Sequence, residues 1–354
     1  MEARGRETLG AEREMKEDMT RILIASMLEK AFNDGKSSPR RAARNLVDLG
    51  VAFSKGRFQK RFLVYAQEML QDQDSAYYDL ISDVIVHVDR NLLVNFGMNL
   101  GYNGCTKGAQ KIRSIEKEQG FNIPWILPMK LNEENIQQMA EEYHKRIRQG
   151  KELGIYVYLL QFSGDEPEKL LEFLKENPDC AFIMFLDGQK ISQEFMNKIK
   201  EYKNGMISVP AGKDSVENCR EMREKGLLYA LYASYGDKNG DKILDGSWIQ
   251  EQLCLHSQFL FLLPEDGCDT EIQEKIYEYV TKVRMKQRHP VFCMEVKEDF
   301  KLIDHIISED SCAVGFDVQG DVLVYRNDTR MKAREAREKS LEEILRILAP
   351  KEVL

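Results

Sequence analysis

The chain has 354 residues and seven cysteines, yet no two of them stand in a CxxC or CxxxC pair. Cys105, Cys180, Cys219, Cys254, Cys268, Cys293 and Cys312 are scattered, which is the usage of a reduced compartment where single thiols serve as small apolar side chains. A metal site built from distant cysteines stays open, without local spacing to support it. No apolar run approaches the roughly 18 residues that a membrane span needs. The first residues, MEARGRETLGAEREMKEDM, are charged rather than signal-like, so a cytoplasmic protein is expected. HExxH, GxSxG, a Walker-type loop and GxGxxG are all missing. The glycine-rich stretch from Gly97 to Gly108 lacks the lysine-hydroxyl ending of a phosphate loop. Acidic residues outnumber basic ones by 59 to 51, a net charge of −8, which argues against a general nucleic-acid surface.

What is present divides the chain into three. Residues 1–120 read as helical, from apolar spacings of three and four in MTRILIASMLEKAF, RRAARNLVDLGVAF and RFLVYAQEML, and again from Ala76 to Gly104. GKSSPRR, 35 to 41, reads as a turn with Pro39 opening the next helix. From 121 to about 310, short apolar runs alternate with amphipathic stretches, the pattern of β-α units around a parallel sheet. Strands are predicted at Trp125–Met129, Ile155–Gln161, Ala181–Leu186, Met206–Val209, Leu227–Tyr232, Gln258–Leu263 and Val291–Val296. Helices are predicted at Glu133–Glu152, Glu168–Glu176, Ser192–Tyr202, Val216–Lys225 and Thr270–Lys286. This pattern fits an α/β barrel, complete or partial, better than a sandwich. Residues 311–354 read as a hairpin around Gly320 and a charged helix over roughly Arg330–Leu348, packed on the barrel.

The order of several segments resembles radical S-adenosylmethionine (SAM) enzymes. Val94-Asn95-Phe96 and Glu118 to Trp125, Gln149 to Tyr158, Asp179 to Phe182 with Asp187-Gly188, Pro290 to Met294, Gly320-Asp321-Val322 and Ser340 to Leu345 are similar to that family's segments, in order and at compatible spacing. The resemblance implies a radical-SAM-like (partial) TIM barrel preceded by a helical amino-terminal region. It also implies a loop carrying CxxxCxxC between the first strand and its helix, whose three thiolates hold a four-iron cluster that binds and cleaves SAM. Here the first strand passes almost directly into the helix near Asn132, so neither an iron-sulfur cluster nor another cofactor is expected. The family's GGEP-like turn, which helps hold SAM, appears as Ser163-Gly164-Asp165-Glu166-Pro167. Asp165 brings a side chain and a negative charge where the ligand would approach. Ser163, Gly164, Asp165 and Glu166 are therefore the candidate residues for residual SAM binding, although acidic groups there also suit the start of a helix.

Two functions from different classes follow. The first is a pseudoenzyme acting as a binding, scaffolding or regulatory protein, partnering an active radical SAM relative or its substrate, with no membrane or nucleic acid involved. The second is an enzyme with repurposed chemistry that binds SAM or another small molecule at the barrel mouth, through Asp165, Glu166, Asp187 and Tyr158.

Other features have bland readings. The loop Asp237 to Asp245 carries oxygens at calcium-like intervals, but Lys242 and Trp248 stand where an EF-hand wants glycine and glutamate. His87 is expected in the core and His144 on a solvated face, while His256, His289 and His305 lack a partner at i+4. Basic clusters at 40–44, 57–61 and 284–289 read as solvated helix faces or a surface for an acidic partner or RNA.

Overall fold

The computed structural model describes residues 21–26, 28–30, 33, 38–53, 57–188, 190–212, 215–308, 310, 312–326 and 329–351. The charged amino-terminal segment 1–19 and residues 35–37 of the predicted turn lie outside them. Within them, helices span Pro39–Phe53, Arg57–Met69, Tyr77–His87 and Arg90–Gly97. The stretch from Ala76 does not form one helix. It breaks at Val88 and Asp89, where the Asp89 carboxylate accepts the Leu92 N–H (2.9 Å) and starts a new one.

That new helix widens over Met98–Gly108 into i→i+5 bonding and returns to normal pitch over Ala109–Gln119. Its buried Asn99 amide donates to the carbonyls of Pro178 (2.8 Å) and Cys180 (2.9 Å), and Asn103 donates to that of Asp179 (2.8 Å). These carbonyls precede the third strand of the sheet. The widened helix thus docks under the amino-terminal ends of the strands.

Ten strands form one sheet: β1 (Ile126–Asn132), β2 (Val157–Ser163), β3 (Ala181–Leu186), β4 (Gly205–Pro210), β5 (Tyr229–Tyr235), β6 (Phe259–Pro264), β7 (Phe292–Glu295), β8 (Ala313–Phe316), β9 (Val322–Arg326) and β10 (Thr329–Ala333). Their order is β10-β9-β8-β1-β2-β3-β4-β5-β6-β7. β1 to β7 pair in parallel and in chain order; β8 joins β1 in parallel, and β8, β9 and β10 are antiparallel. Helical crossovers between sequential parallel strands are right-handed, so they share one face of the sheet. The opposite face must then be buried by curvature. Phe185 of β3 meets Phe261 of β6 with ring centroids 5.5 Å apart, although a flat sheet would hold strands three places apart about 14 Å from each other.

Among the described residues the curved sheet is not hydrogen-bonded into a closed barrel, since its order ends at β10 and β7 with β8 paired to β1 and β9. Instead the helix Val296–Ser308 lies in the gap. It packs on β6 and β7 and reaches Trp125 at the entry to β1, where Phe300 lies edge-on to the indole at 5.5 Å. Buried Asp304 accepts the backbone N–H of Trp125 (3.1 Å) and that of Cys312, and burial holds its carboxyl well above the ordinary range.

The expected helix over Arg330–Leu348 is corrected. Residues Thr329–Ala333 form β10, a short turn follows at Arg334–Ala336, and the helix is only Leu341–Leu348. The charged sequence reads as helix locally, but the ladder with β9 outweighs that preference. Lys332 secures the added strand by bonding Asp317 (2.6 Å) and Asp321 (2.9 Å).

Candidate functional site

Parallel strands in a curved sheet place their carboxyl ends, and the turns that follow, around one mouth. At this mouth β1 ends at Asn132 and the helix Glu133–Leu153 begins at the next residue. Asn132 itself caps that helix by accepting the Asn135 N–H (2.8 Å). No residue separates strand from helix.

Glu133 is thereby aimed at the turn after β2. Its Oε1 accepts the backbone N–H of Asp165 (2.5 Å) and of Glu166 (2.6 Å). Two successive amides directed at one oxygen form an anion nest, filled here by the chain's own carboxylate. Asp187, after β3, takes the Gly164 N–H (3.2 Å), and Glu166 pairs with Lys169 (2.8 Å). Gly164 sits at φ +145°, and a Cβ there would lie 2.6 Å from Glu133 Cγ. The glycine is required by both backbone and neighbour.

The structure therefore brings Gly164, Asp165, Glu166 and Asp187 together with Glu133. Ser163 ends β2 beside them, exposed. Tyr158 does not join them. It is buried near the start of β2, where its hydroxyl donates to the carbonyls of Ile147 (2.9 Å) and Ile155 (3.0 Å). Sequence reasoning missed Glu133, because an acidic residue in a first helical turn reads as a partner of the helix dipole.

Inside the curve the lining divides by strand. Register pairs Lys130 with Gln161, Gln161 with Phe185 and Phe185 with Ser208, so these four share the concave face. The Ser208 hydroxyl is buried with no hydrogen-bond partner. Toward β5, β6 and β7 the lining is aromatic. Phe185 meets Tyr232 at 5.2 Å, and Phe259 stacks near Phe261 at 5.7 Å and lies edge-on to Phe292 at 6.1 Å. At the end of β7, Glu295 is wholly buried. It accepts the Tyr235 hydroxyl (2.9 Å) and the Glu298 N–H (2.6 Å), and burial pushes its carboxyl up to about 7.

The one close grouping of His, Cys, Asp and Glu side chains among the described residues contains no cysteine. Burial pushes the thiols of Cys105, Cys219 and Cys293 up to about 12, the range of inert core groups rather than of ready ligands. The calcium-like loop also disperses its oxygens: Asn239 accepts from Gly236 (2.8 Å), Asp237 from Asp269 (3.2 Å) and Asp245 from Ser247 (2.8 Å).

Two histidine expectations are reversed. His87 is exposed, between Asp83 (3.1 Å) and Arg223, while His144 is buried at 6% exposure. The basic clusters are partly engaged by the fold: exposed Arg40 and Arg44 lie over the Tyr78 ring, and Arg284 pairs with Asp299 (2.7 Å). The side chains of 57–61 lie outside the described residues. A cavity of about 220 Å³, lined by Asp79, Asp83, His256, Ser257 and Val291 among others, lies at the amino-terminal ends of β6 and β7, away from the mouth. Among the described residues no helix is long and apolar enough to cross a membrane.

The class defined by this geometry is a mixed α/β protein with a curved, mostly parallel ten-stranded sheet and a helical amino-terminal region. No protein-family model and no curated protein matches the chain. Among solved structures it is similar to Streptococcus suis SuiB bound to S-adenosylmethionine, at 12% identity and a TM-score of 0.45 over 68% of this chain and 67% of that one. A second crystal structure of Streptococcus suis SuiB gives 11% identity and a TM-score of 0.46 over 85% and 78%.

Proposed function

We propose that this chain is a radical-SAM-like pseudoenzyme, a non-catalytic binding, scaffolding or regulatory protein that partners an active relative or its substrate. The observation that carries the reading is the junction of β1 with its helix. No residue is left there for a cysteine loop, and the first helical residue, Glu133, occupies the amides of the turn that the sequence resemblance assigns to SAM. A ligand entering that turn would have to displace the Glu133 side chain bonded to it. The aromatic fill of the β5–β7 half points the same way.

The test is iron and sulfide content with an absorption spectrum after anaerobic reconstitution, together with calorimetric SAM titration of the same sample. The expected result is no stable cluster and no SAM heat. A stable stoichiometric cluster or saturable SAM binding would overturn the proposal. The second reading, repurposed small-molecule chemistry, draws on the polar row Lys130, Gln161 and Ser208 and its unpartnered hydroxyl. It predicts SAM binding without iron, weakened by Ser208→Val.

A further inference from the structure

On the outer face of the sheet, the helix Glu133–Leu153 lies beside the helix Leu171–Glu176, and three side chains converge between them. His144 comes from the first helix, Glu172 and Glu176 from the second, one turn apart and so on one face. One ligand atom from each lies within 4.8 Å of the others. His144 is 6% exposed, its ring held against Phe173 at a centroid distance of 4.7 Å. Its Nδ1 lies 2.9 Å from Glu176 Oε2, yet it is a buried nitrogen without a hydrogen-bond partner. The two atoms are close but not aligned as donor and acceptor.

We propose that His144, Glu172 and Glu176 form a divalent transition-metal site of the zinc class. An imidazole nitrogen and two carboxylate oxygens suit zinc. Calcium and magnesium prefer all-oxygen shells. A neutral imidazole and two carboxylates carry a charge of −2, which a dipositive ion balances. Tetrahedral ligands at zinc distances stand about 3.3 Å apart, so the three atoms need only side-chain adjustment. Glu172 and Glu176 are exposed, which leaves a fourth position toward solvent for water. The ion would clamp the crossover helix after β1 to the crossover helix after β2. The site lies outside the barrel and is independent of the mouth.

The test uses the full chain without an affinity tag, stripped of metal. Zinc stoichiometry after dialysis, Co²⁺ absorption and thermal midpoints with and without Zn²⁺ are compared for the wild type, Glu172→Gln and Glu176→Gln. The expected result is one saturable site, a tetrahedral Co²⁺ spectrum and a midpoint raised by zinc, with affinity at least tenfold weaker in each variant. Both glutamates are exposed, so these variants keep the fold; His144→Gln is the supplementary variant. A Cys254→Ser, Cys268→Ser double variant should retain the site. Zinc binding unchanged by the glutamate variants, lost in the cysteine variant, absent altogether, or matched by Mg²⁺ would overturn the proposal.

Discussion

At the residue scale, Glu133 and Glu295 show two opposite ways of placing a carboxyl at the carboxyl ends of the strands. Glu133 sits at a partly open position, its side chain accepting two successive backbone amides. Glu133→Ala should lower stability by about 1–3 kcal/mol in urea denaturation, since charge-assisted bonds are lost and the turn amides exposed. Glu133→Gln, which keeps an acceptor oxygen, should lose less. Equal losses would mean that the oxygen contributes nothing. Glu295 is held toward its protonated form by burial, with a carboxyl raised from 4.5 to about 7. Such a group binds its proton more tightly when folded. Its stabilising contribution is complete below about 4.5 and is lost as pH rises through about 7, at up to about 1.4 kcal/mol per pH unit. Burial raises Glu116, Asp299 and Asp304 as well, and they act in the same direction. Wild-type stability should thus fall between pH 5 and pH 8, and Glu295→Gln should flatten that fall while lowering stability at pH 5, where its amide would face the Glu298 N–H. An unchanged slope in denaturation series at the two pH values would sink this assignment. The two histidines show the limit of local reading at this scale. His144 stands about 100° around its helix from the stripe Ile136, Tyr143, Ile147 and Gly150, and the neighbouring helix, through Phe173, buries it. Nothing in the run around residue 144 reports that neighbour.

At the element scale, much was legible. The strand predicted at Ala181–Leu186 and the helix at Thr270–Lys286 have the observed bounds, because each is a strongly patterned run closed by turn residues. The hairpin at Gly320, with φ +76°, follows from its turn chemistry. The widened helix Met98–Gly108 was not legible, since its geometry answers to contacts beyond its own sequence. Gly108 abuts the carbonyl of Gly154, while Gly101 has nothing within 4 Å of where a Cβ would stand. Gly108→Ala should therefore cost about 1–3 kcal/mol or more by overpacking, whereas Gly101→Ala should be nearly neutral. Thermal midpoints of the two variants decide this, and equal effects would mean that the helix shifts freely under the strands.

At the scale of the whole molecule, the second and third segments read in the sequence share one sheet, and the helical first segment joins their core from Val88 onward. β8 pairs with β1, and buried side chains from Val88 to Leu345 form a single cluster. Arg146 is the polar link in that union. It lies 1% exposed under the carboxy-terminal segment, donates to the carbonyls of Arg337 and Lys339 (2.6 Å each), pairs with Glu142 (2.8 Å) and stacks over Phe316 at 5.0 Å. Read locally it belongs to the charged run EEYHKRIR, so its burial depends on a segment almost two hundred residues away. Removing its head group leaves the Arg337 and Lys339 carbonyls without their donor and takes one of two cations from Glu142, a loss of about 1–3 kcal/mol for each unsatisfied carbonyl. Arg146→Met keeps most of the packing volume and so isolates that loss. Its hydrogen exchange should rise first in the backbone of residues 334–348, with the β2–β5 strands protected until global unfolding. Uniform loss of protection across the sheet would show that the carboxy-terminal segment and the barrel strands open as one unit, and that Arg146 fastens no separable part.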